Sequence, residues 1–178
     1  MRGYFAIGVE RLSKPVNAGN LFRSAHAFGA SFVFTVAGAY DERASSDTSR
    51  MARHLPLFSY PSVAEMALPP DCTLVGIELL DDAEELPSFR HPRRAAYVLG
   101  PERGTLSPEM LLRCERVVKI PSSFCVNVAT AGAIVMYDRL LTFGKFGERP
   151  VAPRARARAP DGHVHGDALI RGAKPDRG

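Results

Sequence analysis

The chain has 178 residues, 46% of them apolar, and a formal net charge of +4, which suits one globular domain with a sizeable core and leaves little room for a second. No run of about eighteen apolar residues occurs, and the N-terminus lacks the apolar stretch and cleavage site of a secretory signal, so a cytoplasmic protein without a membrane anchor is expected. Cysteines at 72, 114 and 125, an odd number with no C-x-x-C pair, fit neither a disulfide framework nor a zinc site, and no metal is expected.

Short runs rich in Val, Ile, Phe and Leu alternate with helical patterns along the first 143 residues. Phe5–Val9 reads as the first buried strand. A helix is expected to begin about Asn20 and run to Phe28, with Leu21, Phe22, Ala25 and Phe28 on its apolar face and Asn17 capping its start. Ser31–Val36 is the next strand, and the polar stretch Tyr40–Arg53 reads as a long surface loop whose Arg43, Arg50, Arg53 and neighbouring His54 could face a substrate. Ser62–Leu68 carries a Ser cap with Glu65 three residues later, the signature of a helix start. Strands are expected at Thr73–Glu78, Ala95–Leu99 and Arg116–Ile120, with a short helix opened by Ser107-Pro108-Glu109 between the last two. Val126–Phe143 reads as a helix whose first half is apolar all round and so calls for burial on every side. The pattern is that of a parallel-sheet α/β/α sandwich over residues 1–147.

Charge is unevenly spread. Residues 1–147 hold 16 basic and 15 acidic side chains, whereas residues 148–178 hold 7 and 4. That tail is rich in Pro, Arg, Ala and Gly without apolar periodicity, the composition of a segment disordered when free. Its Arg154, Arg156 and Arg158 could neutralise RNA phosphates, or the tail could simply solubilise the protein.

Three separated segments carry chemistry. In Asn17-Ala-Gly-Asn-Leu-Phe-Arg23, Asn20, Arg23 and Ala27 share the helix face opposite the core, which leaves the Arg23 guanidinium within reach of a phosphate or ribose. In Leu99-Gly-Pro-Glu-Arg-Gly104 the Gly-Pro turn follows a strand, where a parallel sheet opens its ligand crevice, and sets the Glu102 carboxylate beside it to accept hydrogen bonds from backbone or from Arg23. In Ile120-Pro-Ser-Ser-Phe-Cys-Val-Asn127 a polar loop leads into the apolar helix, whose small residues allow close packing against another backbone. Neither a Walker loop nor a G-x-G-x-x-G turn occurs, which argues against nucleoside-triphosphate hydrolysis and a dinucleotide cofactor.

In order and spacing these segments resemble the three motifs of the SpoU/TrmH family, within the SPOUT superfamily, of S-adenosylmethionine-dependent RNA 2′-O-ribose methyltransferases, over roughly Phe5–Phe143. The short, single-domain members are the nearer match. The resemblance implies a deep trefoil knot in the C-terminal third, with S-adenosylmethionine held in a bent shape among its loops by Ile77, Glu78, Leu79, Leu99, Gly100, Ile120, Cys125, Val126 and Val128. It implies that Arg23 is the catalytic arginine, with Asn17, Glu102 and Asn127 as its companions, and that the protein is a homodimer whose last helix serves both cofactor pocket and interface. The implied partner is RNA, tRNA ahead of rRNA. Cys125 stands where the family usually has serine, and a thiol is the weaker hydrogen-bond donor. The loop from Ile120 to Cys125 is also a few residues shorter than the family pattern. A non-catalytic RNA-binding paralogue on the same fold and a base-modifying knotted methyltransferase are the alternative readings.

Overall fold

The computed structural model describes residues 3–12, 14–38, 40 and 55–146. The expected contributions of Arg43, Arg50, Arg53, His54, Arg154, Arg156 and Arg158 lie outside them. Residues Met1–Thr142 form one compact unit, which holds every strand among the described residues.

Seven strands form one sheet in the order β3-β2-β1-β6-β4-β7-β5, comprising β1 (Tyr4–Glu10), β2 (Phe32–Val36), β3 (Leu57–Tyr60), β4 (Thr73–Ile77), β5 (Glu84–Glu85), β6 (Arg94–Leu99) and β7 (Arg116–Lys119). Every pairing is parallel. Both faces of such a sheet need cover, and alternation along the strands supplies two cores. Phe5, Ile7 and Val9 of β1, Tyr97 and Leu99 of β6 and Val75 of β4 pack with Leu21, Phe22 and Ala25 of α1 (Pro15–Ala27) and Val128, Ala131, Val135 and Met136 of α3 (Val128–Phe143). On the other face Ala6, Phe34, Val36, Leu74, Ala96 and Val98 pack with Leu106, Met110 of α2 (Pro108–Arg113), Val63 and Met66. The result is the expected α/β/α sandwich. The deep trefoil knot is not seen among the described residues, and no helix among them is long and apolar enough to cross a membrane.

Five strands fall where the sequence places them, to within a residue or two. The two edge strands do not read from sequence: β3 is half exposed, and β5 is two glutamates long, so neither shows a buried run. Helix α1 starts at Pro15, not near Asn20, because proline suits a first helical position; Asn17 therefore lies inside the first turn and is no cap. Ser62–Leu68 forms a turn and not a helix. Its capping contacts exist, with the Glu65 N–H donating to Ser62 Oγ at 3.3 Å, but Pro69 and Pro70 stop propagation after a single turn.

Helix α3 also departs from expectation. It buries Val128, Ala131, Gly132, Val135, Met136 and Arg139, one stripe at helical spacing. Ile134, Tyr137 and Leu141 remain 37%, 51% and 37% exposed, so one copy of the chain does not enclose the helix. The buried stripe ends in a polar lock. Arg139 donates to the carbonyls of Pro92 (2.6 Å), Arg93 (2.8 Å) and Tyr4 (3.2 Å) and to the Tyr97 hydroxyl (3.1 Å), with its guanidinium over the Phe5 ring. His91 Nε2 is 2.9 Å from Asp138 and its Nδ1 is 2.6 Å from the Tyr97 hydroxyl. An ionised carboxylate only accepts, so a neutral His91 carries its proton on Nε2 and takes the Tyr97 hydroxyl proton's hydrogen bond on Nδ1. Burial pushes the His91 pKa down, against the pull of Asp138, and the Tyr97 phenol up to about 12. This lock fastens α3 near the N-terminal ends of β1 and β6, away from their C-terminal ends.

Candidate active site

A cavity of about 380 Å³ lies beyond the C-terminal ends of β4, β6 and β7, where open parallel sheets place their ligands. Its wall takes Ile77, Glu78 and Leu79 after β4, Leu99 to Glu102 and Gly104 after β6, and Ile120, Ser122 and Cys125 to Val128 after β7. Lys14, Asn17 and Ala131 come from the two helices beside it. All nine residues expected to touch a cofactor thus border one space, together with Asn17, Glu102 and Asn127.

The three sequence segments meet there through one chain of hydrogen bonds. Asn17 Nδ2 donates to Glu102 Oε1 at 3.1 Å, across 85 residues of sequence. Asn127 Nδ2 donates to Asn17 Oδ1 at 3.1 Å, across 110. Asn127 Oδ1 accepts the Ala129 N–H at 2.9 Å and so caps α3. Both amide orientations are fixed from the ends of this chain, because a carboxylate only accepts and a backbone N–H only donates. Asn17 is the joint between the other two segments, and its place inside the first turn of α1 aims it at them.

Two further carboxylates hold the loop after β6. Glu78 Oε2 accepts the Leu106 N–H at 2.8 Å while its Oε1 accepts the Leu79 N–H at 3.0 Å. Glu10, 1% exposed at the end of β1, accepts both the Ser107 N–H at 2.8 Å and the Ser107 hydroxyl. Ser107 Oγ in turn accepts the Met110 N–H and caps α2. Gly100 lies close against this clamp: a Cβ there would stand 3.0 Å from the Leu106 nitrogen and 3.3 Å from Glu78 Oε2, tight enough that the loop would have to shift. Sequence reasoning gave Glu10 no role, since a glutamate ending an apolar strand looks like an exposed edge. Its signal was the serine that caps a helix after the second segment.

Arg23 stands apart. It is exposed on α1 with Asn20 and Ala27, as the helical spacing predicts, and it does not line the cavity. Among the described residues it makes no hydrogen bond or ion pair, and Glu102, for which backbone or Arg23 is the expected donor, accepts from Asn17. Among the described residues Lys14 is the only cation on the cavity wall, and sequence reasoning passed over it. Its position immediately before the Pro15 that starts α1 was the available clue, because a helix packed on this sheet begins at the ligand end. No group of three or more His, Cys, Asp or Glu among the described residues is placed to hold a metal ion.

The wall suits S-adenosylmethionine. Ile77, Leu79, Leu99, Ile120, Val126 and Val128 offer apolar surface to an adenine, glycine at 100 opens backbone to its edge, and Glu78 and Glu102 put negative charge beside a cationic ligand.

Residues 4–137 match the SpoU rRNA methylase family. No curated protein matches the chain. Among solved structures, the SpoU methyltransferase AviRb from Streptomyces viridochromogenes is similar at 24% identity over 79% of this chain and 60% of that one, with a TM-score of 0.68. The complex of AviRb with AdoMet gives a TM-score of 0.66 at the same identity, over 79% of this chain and 61% of that one. A protein described under the 2-OH methylation of C/U34 on tRNA is 25% identical over 80% of this chain and 92% of its own, with a TM-score of 0.65. The chain spans about three fifths of the length of AviRb.

Proposed function

This chain belongs to the SpoU rRNA methylase family, and from that premise we propose that it transfers a methyl group from S-adenosylmethionine to a ribose 2′-OH of structured RNA, tRNA ahead of rRNA. The observation that carries the reading is the Glu102–Asn17–Asn127 chain beside a cavity bordered by all nine expected cofactor contacts. The similar structure concerned with tRNA 2-OH methylation matches over nearly its whole length, which favours tRNA and a ribose target.

S-adenosylmethionine, when bound, supplies an electrophilic methyl on a sulfonium. The chain's own residues have three tasks. The apolar wall and the Glu78-clamped loop hold the cofactor and exclude water. Asn17, oriented by Glu102 and Asn127, keeps the three segments in register at the cavity mouth. Arg23, through its guanidinium, holds the phosphate beside the target or stabilises the alkoxide as the 2′-OH loses its proton.

Arg23 lies on the outer face of α1, so it serves a site outside its own cavity. The reading therefore includes a homodimer with shared sites, in which Arg23 faces the cofactor held by the other subunit. The uncovered Ile134, Tyr137 and Leu141 of α3 supply the apolar motive. The basic tail from residue 148, a separate segment in this reading, adds salt-sensitive affinity for phosphates through Arg154, Arg156 and Arg158.

Incubation of the full chain with S-adenosylmethionine and bulk tRNA or rRNA, followed by mass spectrometry of the nucleosides, tests the reading. A 2′-O-methylnucleoside is the expected product. A base-methylated nucleoside would assign the chain to base modification, and no product from either RNA would make it a binding protein.

A further inference from the structure

The loop between β7 and α3 carries an aromatic side chain that the reading above does not use. Phe124 is 82% exposed, the most exposed aromatic among the described residues. Scattered surface apolar residues are ordinary, but three observations set this one apart. The loop is wound locally so that the ring points outward: the Ser122 hydroxyl lies 2.9 Å from the Phe124 carbonyl and 3.3 Å from that of Ile120. Ser122, Cys125, Val126 and Asn127 on either side all line the cavity while Phe124 does not, so the ring lies outside the space that its sequence neighbours border. Finally, about 380 Å³ is near the lower end of the ~300–1,000 Å³ usual for a small-molecule site. One ligand fills that space, and a nucleotide that brings its ribose to the mouth must leave its base outside.

We propose that Phe124 is the platform on which the base of the methylated nucleotide stacks, a contact that binds that nucleotide beside the cavity. The inference rests on the RNA ribose reading. Every nucleobase has a π-face, so such a contact gives affinity without choosing a base, as aromatic platforms for unpaired nucleotides do. Asn127, three residues on, is tied to Asn17, which couples the platform to the three-segment joint. The choice of nucleotide then falls to other contacts.

The absence of tryptophan from the chain makes the test direct. In the full chain Phe124→Trp introduces a single indole, whose emission a stacked base quenches. Leu112→Trp, at an exposed site on α2 against the other sheet face, is the control. Each variant is titrated with bulk tRNA and bulk rRNA in the presence of S-adenosylhomocysteine. Quenching at position 124 but not at 112, by the RNA that the wild type methylates, is the expected result. Phe124→Ala should raise KM for that RNA about tenfold or more, with kcat and cofactor affinity within about twofold, and Phe124→Tyr should restore it. Equal quenching at both positions, or an unchanged KM for Phe124→Ala while the wild type methylates RNA, overturns the platform and leaves the RNA reading standing. A changed sedimentation coefficient for Phe124→Ala overturns it too, by showing the ring covered by a second copy. If the wild type methylates neither RNA, both fall.

Discussion

Replacing Asn17 by Asp preserves its shape and sets a second carboxylate where Nδ2 now donates to Glu102 Oε1 at 3.1 Å. Two unit charges about 4 Å apart repel by about 1 kcal/mol in bulk water and by about 4 kcal/mol at an effective dielectric near 20. Asn17 and Glu102 are both half-buried, so an intermediate loss of about 2 kcal/mol is expected, which for a chain of this size lowers Tm by about 4–8 °C. Asn17→Ala removes the donor without adding charge and should cost about 1 kcal/mol. Adding Glu102→Gln to Asn17→Asp recreates a donor–acceptor pair of opposite polarity and should return most of the Tm. The pH dependence has a fixed sign. Like charge raises the folded-state pKa of the paired carboxyls above their unfolded values near 4, so the folded Asn17→Asp protein binds more protons than the unfolded chain. Its deficit should therefore shrink as pH falls from about 7 toward 5. Scanning calorimetry of the wild type and these variants at several pH values checks each step. Should Asn17→Asp prove as stable as Asn17→Ala, or Glu102→Gln fail to rescue it, the amide–carboxylate bond is not what joins the three segments.

Arg23→Ala should leave S-adenosylmethionine affinity nearly intact and lower methyl transfer at least about a hundredfold, read by calorimetric titration and a tritiated-methyl assay; lost affinity with normal turnover per bound cofactor would refute its assignment to the RNA. Mixing Arg23→Ala subunits with Gly100→Arg subunits, whose new side chain would meet the Leu106 backbone and Glu78, should restore activity in about half of the heterodimer's sites. Self-contained sites would recover none. Stability should fall as pH drops below about 6.5, because burial lowers the His91 pKa and the unfolded chain takes up the proton first. Asp138, Tyr97, Arg139 and Phe89 all face that ring, so His91→Gln should flatten the decline in Tm between about pH 7.5 and 5.5, and an unchanged slope would place its origin elsewhere.

The central strands, α1, α2, α3 and the order of the three segments were legible because each is written in local pattern. Buried parallel strands make short apolar runs, and a helix packed on one face shows its stripe. Burial fell on the residues those patterns mark, from Phe5, Ile7 and Val9 to Val135 and Met136. What local pattern could not hold is any fact that depends on residues far apart in the chain. The sequence marks Asn17, Glu102 and Asn127 as chemically apt, yet whether Glu102 meets Arg23 or Asn17 depends on how loops after β6 and β7 come down beside α1. Glu10 reads as a strand-end charge until the sheet brings Ser107 to it across 97 residues. The expected helix Val126–Phe143, with its first half apolar all round, states how much surface must be covered. Only the packing of one copy shows which stripe the sheet covers and which, through Ile134, Tyr137 and Leu141, it leaves exposed. Periodicity fixes what a segment can bury, whereas pairing and packing across the sheet decide what it meets.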